Sequence, residues 1–264
     1  MPANTCHPVL HQPTDEQVTI WRYMDFAKYV ALLRSNALYF ARLDTMEDPF
    51  EGSLTKAEYK GLEAIAKQGE AKGELPAEWK GRYFGVLLQN ARNMRRSCYV
   101  NCWHMNPHES EAMWRLYSLS GFGIALRSTY STLRHCLPTG QEGAVGPFLG
   151  AVTYVDHISE ELPKGNGLVP VMNKRPSFAH EQECRALIWC PEPNEHLFHP
   201  DPESLLAGYP VGLHLKVNLG SLINYAAVSP LAPKWFTDNV VDVTQKYGHS
   251  WEVRASSLAA KPYI

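Results

Sequence analysis

The sequence lacks the short motifs that mark the most common nucleotide-dependent and hydrolytic enzymes. It contains no G-x-x-x-x-G-K-[ST] phosphate loop, no G-x-G-x-x-G fingerprint, no H-E-x-x-H pair and no G-x-S-x-G turn. Each of these motifs places backbone N–H groups, metal ligands or a nucleophile where the chemistry needs them. Their absence argues against a P-loop NTPase, a Rossmann dehydrogenase, a zincin and an α/β-hydrolase.

A strong charge of either sign and a long apolar run are also missing. The 264 residues carry 25 Lys and Arg against 27 Asp and Glu, which gives a net charge of −2. Non-specific binding of long nucleic acids needs many phosphate contacts, so that class loses ground. No apolar run is long enough to span a bilayer, and residues 1–14 lack the features of a signal peptide. We therefore expect no membrane partner and a cytoplasmic location.

The six cysteines do not form a recognisable metal site. Cys98 and Cys102 are separated by three residues, and no matching Cys/His pair follows at the spacing of a zinc site. Several of the six fall in apolar, strand-like stretches, where cysteine behaves as a small hydrophobic residue. We predict reduced, buried thiols and no bound metal.

The order of the predicted elements indicates an α+β fold. Strands and helices do not alternate regularly, which favours a mixed, largely antiparallel sheet with flanking helices over a doubly wound sheet. Residues 1–17 are predicted to be a polar lead-in, and residues 18–264 a single domain. A helical insertion is expected at about 54–96, and long loops at about 160–210, where Pro and Gly are dense.

Apolar periodicity predicts the individual elements. The main strands are expected at 18–23, 38–43, 97–103, 124–126, 149–155, 183–189, 211–217, 223–228 and 251–254. Helices are expected after Asp25, at 54–72 and 77–94, after Ser110, and at 233–247.

The first candidate for a functional residue is Arg22, which lies between Trp21 and Tyr23 in the first strand. Alternation places the two aromatic residues on one face of the strand and Arg22 on the other. A guanidinium in this position requires a carboxylate, a phosphate or an aromatic plane, because an unpaired buried charge costs several kcal/mol. An internal salt bridge is the alternative to a ligand contact.

Two further carboxylates, Asp48 and Glu51, belong to the segment Glu47-Asp48-Pro49-Phe50-Glu51-Gly52. Pro49 stiffens this loop and Gly52 permits a sharp turn. The carboxylates can position a ribose hydroxyl, bind a metal or pair with Arg22, or they can serve an Asx-turn and a structural ion pair.

A third candidate is the sequence Glu181-Gln182-Glu183-Cys184-Arg185, which precedes the apolar run Ala186–Trp189. In a strand, Glu181, Glu183 and Arg185 would share one face. Two neighbouring carboxylates repel unless a cation or a proton relieves them, and such pairs are one route to acid/base chemistry. Neutralisation by Arg185 alone is the structural alternative.

Aromatic residues also cluster in the sequence around Trp114 and Tyr117, after Cys102-Trp103-His104. Aromatic side chains beside polar groups suit a flat ligand such as a base or a nicotinamide. A hydrophobic core is the alternative.

Taken together, these segments resemble a bacterial and phage-associated family known as domain of unknown function 2971. The resemblance covers about residues 20–258. It rests on Trp21-Arg22-Tyr23, Leu38-Tyr39-Phe40, Asp48-Pro49-Phe50-Glu51-Gly52, Cys102-Trp103, Met113-Trp114 with Tyr117-Ser118, Gly121–Ile124, Phe178 with Glu181–Arg185, and Ser257-Leu258. The resemblance implies membership of a family more than it implies an activity.

The order of the motifs is also similar to that of ADP-ribosyltransferases, which cleave NAD. This resemblance implies that Glu183 is the catalytic carboxylate and that Glu181 orients or deprotonates the acceptor. It also implies an NAD-binding set, namely Arg22 at the phosphates with Tyr23, Tyr39, Phe40, Trp114 and Tyr117 around the nicotinamide. Asp48, Glu51 and Arg185 would support the site.

The leading hypothesis is thus an NAD-consuming, ADP-ribosyltransferase-like enzyme, such as a toxin or phage-defence effector, with a protein or nucleic-acid acceptor. One alternative is a divalent-metal nuclease that uses Asp48, Glu51, Glu181 and Glu183 as ligands. The other is a non-enzymatic sensor or scaffold in which the same polar residues fix the fold.

Overall fold

The structure is a computed structural model described over residues 3–5, 7–73, 75–76, 79–118, 121–138, 144–163, 166–190 and 209–263. Much of the loop-rich segment predicted at 160–210 lies outside the described residues.

The described chain confirms the α+β class, with a large mixed sheet whose pairings are mostly antiparallel. The strands are β1 (Thr19–Asp25), β2 (Ala37–Arg42), β3 (Cys98–Met105), β4 (Gly123–Thr129), β5 (Val145–Ala151), β6 (Thr153–Tyr154), β7 (Asn173–Lys174), β8 (Glu183–Trp189), β9 (Gly212–Lys216), β10 (Tyr225–Val228) and β11 (Glu252–Ala255). The helices are α1 (Phe26–Ser35), α2 (Lys56–Lys72), α3 (Tyr83–Ser97), α4 (Glu111–Tyr117), α5 (Tyr130–Cys136), α6 (Leu219–Leu222) and α7 (Lys234–Lys246).

The main sheet forks at its central strand, β3. Along one edge, β3 pairs with β8 over the whole stretch from Cys98 to His104, and β8 then pairs with β5. Along the other edge, β1 pairs with the end of β3 at Met105 and His104, whereas β2 pairs with its start. One arm of the fork continues as β1-β4-β10-β11 and the other as β2-β9. The middle of β3 therefore faces a gap between β1 and β2.

Helix α1 connects the two arms of the fork, and its ends match the sequence prediction. Asp25 caps its N-terminus by accepting a hydrogen bond from the backbone N–H of Lys28 at 2.7 Å. Asn36 ends the helix in the left-handed conformation, with φ of 48°. The chain then enters β2 at once, so the short β1-α1-β2 unit places two parallel strands on opposite sides of the gap.

The two faces of the sheet are covered differently. The largest hydrophobic core lies between one face and helices α1, α5, α6 and α7, and includes Ile20, Phe40, Trp103 and Leu126. The other face carries α4 and two segments that shape the candidate site: the 44–52 loop and a strap formed by residues 166–182. Alternation along each strand decides which side chains reach this second face.

Several predicted boundaries need correction. The predicted strand at 149–155 is replaced by β5 at Val145–Ala151 and a separate short strand, β6. The predicted lead-in is packed against the sheet, since Asn4 and His11 form bridges to β5 and Leu10 is buried. Within the part of the chain that the structure describes, no helix has the length and apolar composition needed to cross a bilayer.

Candidate functional site

A cavity of 520 Å³ lies at the fork between β1 and β2. This volume is within the usual range for small-molecule sites, about 300–1,000 Å³. Its walls are side chains of α1 and of strands β1, β2 and β3, together with α4 and the end of the strap. The polar and aromatic side chains that line it are Trp21, Arg22, Tyr23, Lys28, Ser35, Tyr39, Cys102, Trp103, His104, Tyr117, Glu181, Glu183 and His214.

Arg22 enters this cavity from β1 without a carboxylate partner among the described residues. Its Nη1 donates to the backbone oxygen of Cys102 at 3.0 Å, and its Nη2 reaches the backbone oxygen of Tyr39 at 3.5 Å. Asn101 also bridges the gap, donating from Nδ2 to the same Tyr39 oxygen at 2.8 Å. These side chains replace the backbone hydrogen bonds that the fork removes.

The charge of Arg22, which no carboxylate among the described residues offsets, lowers the stability of the fold. Burial lowers the pKa of its guanidinium, and the groups that oppose this effect are Cys102 and Tyr117. Two of the five guanidinium N–H groups are directed at carbonyl oxygens, so further donors remain for a ligand. A group of this kind in a cavity is suited to bind an anion, phosphate in particular.

A buried ionic group, here called the carboxylate cluster, forms another part of the site: Glu51, Lys174, Glu181, Glu183 and Arg185. The ammonium Nζ of Lys174 lies 2.6 Å from Glu181, 3.1 Å from Glu51 and 3.3 Å from Glu183. Arg185 contacts Glu183 at 2.7 Å and Glu51 at 2.9 Å. With all groups ionised, three carboxylates face two cations, and the cluster carries one net negative charge.

The two carboxylates that line the cavity have pKa values shifted in opposite directions. Burial would raise the pKa of Glu183, but Arg185 and Lys174 together lower it to about 2. Burial raises the pKa of Glu181, and its contact with Lys174 offsets this only in part. Two carboxyl groups whose pKa values differ in this way suit different roles: one stays ionised and the other exchanges a proton.

The 44–52 loop and the strap also contact each other beside the cluster, through a separate ion pair. Asp48 pairs with Arg175 at 3.0 and 2.7 Å, and the guanidinium of Arg175 lies 4.5 Å from the ring centre of Phe50. Gly52 turns the loop with φ of 65°, in a position where a Cβ would lie 2.3 Å from Leu43. This turn places the Glu51 carboxylate beside Lys174 and Arg185.

Other polar groups that line the cavity include His104, Tyr117 and Cys102. The Nδ1 atom of His104 is 2.5 Å from the backbone oxygen of Glu181, so this nitrogen carries the proton; burial lowers the pKa of the ring. Its Nε2 atom is buried and has no hydrogen-bond partner among the described residues. Burial raises the pKa of the Cys102 thiol well above its usual value, which makes it a poor nucleophile at neutral pH.

The structure brings most, but not all, of the predicted site residues to the cavity. Arg22, Tyr23, Tyr39, Tyr117, Glu181 and Glu183 line it. Glu51 and Arg185 lie outside the cavity lining, and Arg185 pairs with both Glu183 and Glu51. Asp48 instead pairs with Arg175 and forms no ion pair with any member of the carboxylate cluster.

Two aromatic residues were wrongly assigned to the nicotinamide pocket. Phe40 follows Tyr39 in β2 and therefore points to the opposite face, where it is fully buried in the main core. Trp114 is 3% exposed and packs edge-on against Tyr23 at 5.0 Å, so it lies behind the cavity wall.

Glu181 reaches the site by a different route from the predicted one. It ends a 3-10 helix, Pro176–Glu181, and Gln182 then adopts the left-handed conformation with φ of 40° before β8 begins. Glu183 and Arg185 do share one face of β8, as alternation predicts.

Lys174 is the central residue that the sequence did not reveal. The one available signal was the charge balance, because Arg185 alone cannot neutralise three clustered carboxylates. Its ammonium group lies among three of the four carboxylates that the nuclease hypothesis names as metal ligands, whereas the fourth, Asp48, pairs with Arg175. No group of three or more His, Cys, Asp or Glu side chains arranged to hold a metal ion is found among the described residues.

No protein-family model matches the chain, and no curated protein or solved structure is significantly similar to it. The family resemblances stated above therefore remain predictions.

Proposed function

We propose that the protein is an NAD-consuming enzyme that cleaves the bond between nicotinamide and ribose and transfers ADP-ribose to an acceptor. The observation that carries this proposal is that an unpaired guanidinium, Arg22, and an ionised carboxylate, Glu183, line one cavity. The cavity thus offers groups of opposite charge to a ligand.

Arg22 supplies the site for the diphosphate. Its free N–H groups can donate to two phosphate oxygens in the planar geometry that guanidinium favours. The aromatic side chains of Tyr23, Tyr39 and Tyr117 provide flat surfaces in the same cavity. Tyr39 and Tyr117 are each about two-fifths exposed, at 40% and 41%, so a ligand can reach them without unfolding the core.

Glu183 and Glu181 supply the chemistry. When the glycosidic bond breaks, its electron pair passes to the pyridinium nitrogen, nicotinamide leaves as a neutral molecule, and positive charge develops on the ribose. The ionised Glu183 stabilises that charge. The acceptor attacks C1′ of the ribose, the new bond forms there, and Glu181 takes the acceptor's proton.

The cavity is also the observation that distinguishes this proposal from a purely structural role. Glu51 and Arg185 are saturated by their ion pairs and fit a structural role well. Arg22 differs from them: it also bonds to two backbone oxygens across the gap, but no carboxylate among the described residues offsets its charge.

The test is nicotinamide release from NAD by the purified protein, alone and with fractions of cell lysate. We expect release by the wild type and its loss in Glu183→Gln, which keeps the shape of the side chain and removes its charge. Asp48→Asn is the matched control, since it removes a buried carboxylate outside the cavity. No release in any fraction, with no effect of NAD on the melting temperature, would refute the proposal.

A further inference from the structure

Lys174 lies at the centre of the carboxylate cluster and contacts three carboxylates at once. It is buried, with 6% of its side chain exposed, and one ammonium group lies within 3.3 Å of three carboxylates. Burial alone would lower the pKa of Lys174, but the three carboxylates raise it well above its usual value. The charge is therefore permanent at physiological pH.

We propose that Lys174 is a positioning residue that acts as the resident cation of the site: it orients Glu181 toward the cavity and controls when Glu181 gains a proton. This role rests on the proposed function where catalysis is concerned, although its electrostatic part does not.

The two carboxylates that line the cavity, Glu181 and Glu183, depend on Lys174 to different extents. Glu183 has a second cation, because Arg185 donates to its other oxygen at 2.7 Å. Glu181 forms an ion pair with no residue other than Lys174 among those the structure describes. Loss of Lys174 would thus leave Glu183 paired and Glu181 facing two other carboxylates without a cation.

No other described group near Glu181 can replace Lys174 as its cation. The titratable groups around it are Glu51 from the 44–52 loop, His104 from β3, Tyr117 from α4, Tyr154 from β6, His180 from the strap and Glu183 from β8. His104 meets the backbone oxygen of Glu181 and not its carboxylate. Among the described groups, Lys174 is therefore the cation that lowers the proton affinity of Glu181 against the effect of burial.

The strap also explains how Lys174 is held. Its ammonium group lies 4.8 Å from the ring centre of Phe178, and the neighbouring Arg175 binds Asp48. Arg175 belongs to the same strap and carries the same charge, yet it forms no ion pair with Glu181 or Glu183. It provides a matched control for loss of a cation.

The first experiment compares the pH dependence of NAD consumption in the wild type, Lys174→Gln and Arg175→Gln. Lys174→Gln should move the acid limb of kcat upward by about one pH unit or more, since the lost cation no longer favours the ionised Glu181. KM should change less, because Arg22 is intact. Arg175→Gln should leave the acid limb in place. An unmoved limb in Lys174→Gln would overturn the proposal.

A second experiment needs no NAD and so stays informative if the proposed activity fails. A carboxyl whose folded-state pKa is raised stabilises the protein as pH falls, because the folded state then binds the proton more tightly. The difference in melting temperature between the wild type and Lys174→Gln should therefore narrow from pH 7 to about pH 5. For Arg175→Gln it should narrow less, because Asp48 keeps its hydrogen bond from the backbone N–H of Phe50 at 3.0 Å. A constant difference for both variants would show that Lys174 only supports packing.

Glu51→Gln provides the opposite perturbation if Lys174→Gln does not fold at either pH. This substitution removes a carboxylate that shares Lys174 with Glu181. Glu51 itself does not line the cavity. The acid limb should then move to lower pH. A limb that stays in place or moves upward would refute the role of Lys174.

Discussion

Arg22 provides the sharpest separation of function from stability, because its charge has no carboxylate partner among the residues that the structure describes. Replacement by Gln removes a desolvated cation and, with it, the donor to the backbone oxygen of Cys102. Arg22 is only partly buried, so the first change favours the variant by about 1–3 kcal/mol, and an unsatisfied buried carbonyl costs about as much. The two effects nearly cancel, so we expect Arg22→Gln to change the free energy of unfolding by less than about 1 kcal/mol.

Arg185→Gln is the matched comparison for this prediction. Arg185 is fully buried and pairs with both Glu51 and Glu183, and breaking such a pair costs about 3–5 kcal/mol. For a chain of this size, that corresponds to a fall in melting temperature of roughly 6–15 °C, against no more than a few degrees for Arg22→Gln. Thermal unfolding in the absence of ligand measures both values.

For stabilisation by a bound ligand, the substitution at Arg22 should have a larger effect than the substitution at Arg185. Inorganic pyrophosphate at about 100 times its Kd should stabilise the wild type by about 2.7 kcal/mol, and this effect should disappear in Arg22→Gln. Equal destabilisation by Arg22→Gln and Arg185→Gln, or full pyrophosphate stabilisation of Arg22→Gln, would refute the assignment of Arg22 as an anion site.

Three further predictions concern pH, the 44–52 loop and the cavity wall. Because the pKa of Glu183 is lowered to about 2, its contribution of about 3 kcal/mol is present above pH 5 and lost toward pH 2; acid unfolding of Glu183→Gln should be correspondingly flatter. Gly52→Ala should lower stability by about 2–3 kcal/mol in urea unfolding, since it combines a left-handed φ with a clash against Leu43, whereas Gly73→Ala, with the same φ and open space, should cost about 1–2 kcal/mol. Tyr117→Ala should raise KM for NAD about tenfold while Tyr117→Phe leaves it unchanged, which steady-state kinetics would show.

The sequence was sufficient for the parts of the fold that local rules decide. The bounds of β8 are the predicted ones, because seven residues in a row there are fully or largely buried and apolar or paired. Helix α1 was predictable from Asp25 and Asn36, whose side-chain and backbone preferences act within a few residues. The placement of Arg22 opposite Trp21 and Tyr23 follows from alternation alone.

Contacts between distant segments explain the errors. Lys174 meets Glu51 across more than a hundred residues, and no local pattern in Asn173-Lys174-Arg175 points to that contact. Phe40 could not accompany Tyr39 into the cavity because neighbours in a strand face opposite ways. For Glu181, the left-handed turn at Gln182 overrides the period-two pattern on which the prediction depended.

The fork at β3 has a consequence for how this protein can change. In many enzymes specificity resides in surface loops, which vary without disturbing the scaffold. Here the cavity lies in a missing stretch of the central sheet, and β1, β2 and β3 supply much of its wall, together with α1, α4 and the end of the strap. For the proposed enzyme, a change of substrate preference at these strands would alter side chains whose strands also build the core. Each adaptive step would alter folding and recognition together, so diversification should be slow and should favour compensating pairs of substitutions across the gap.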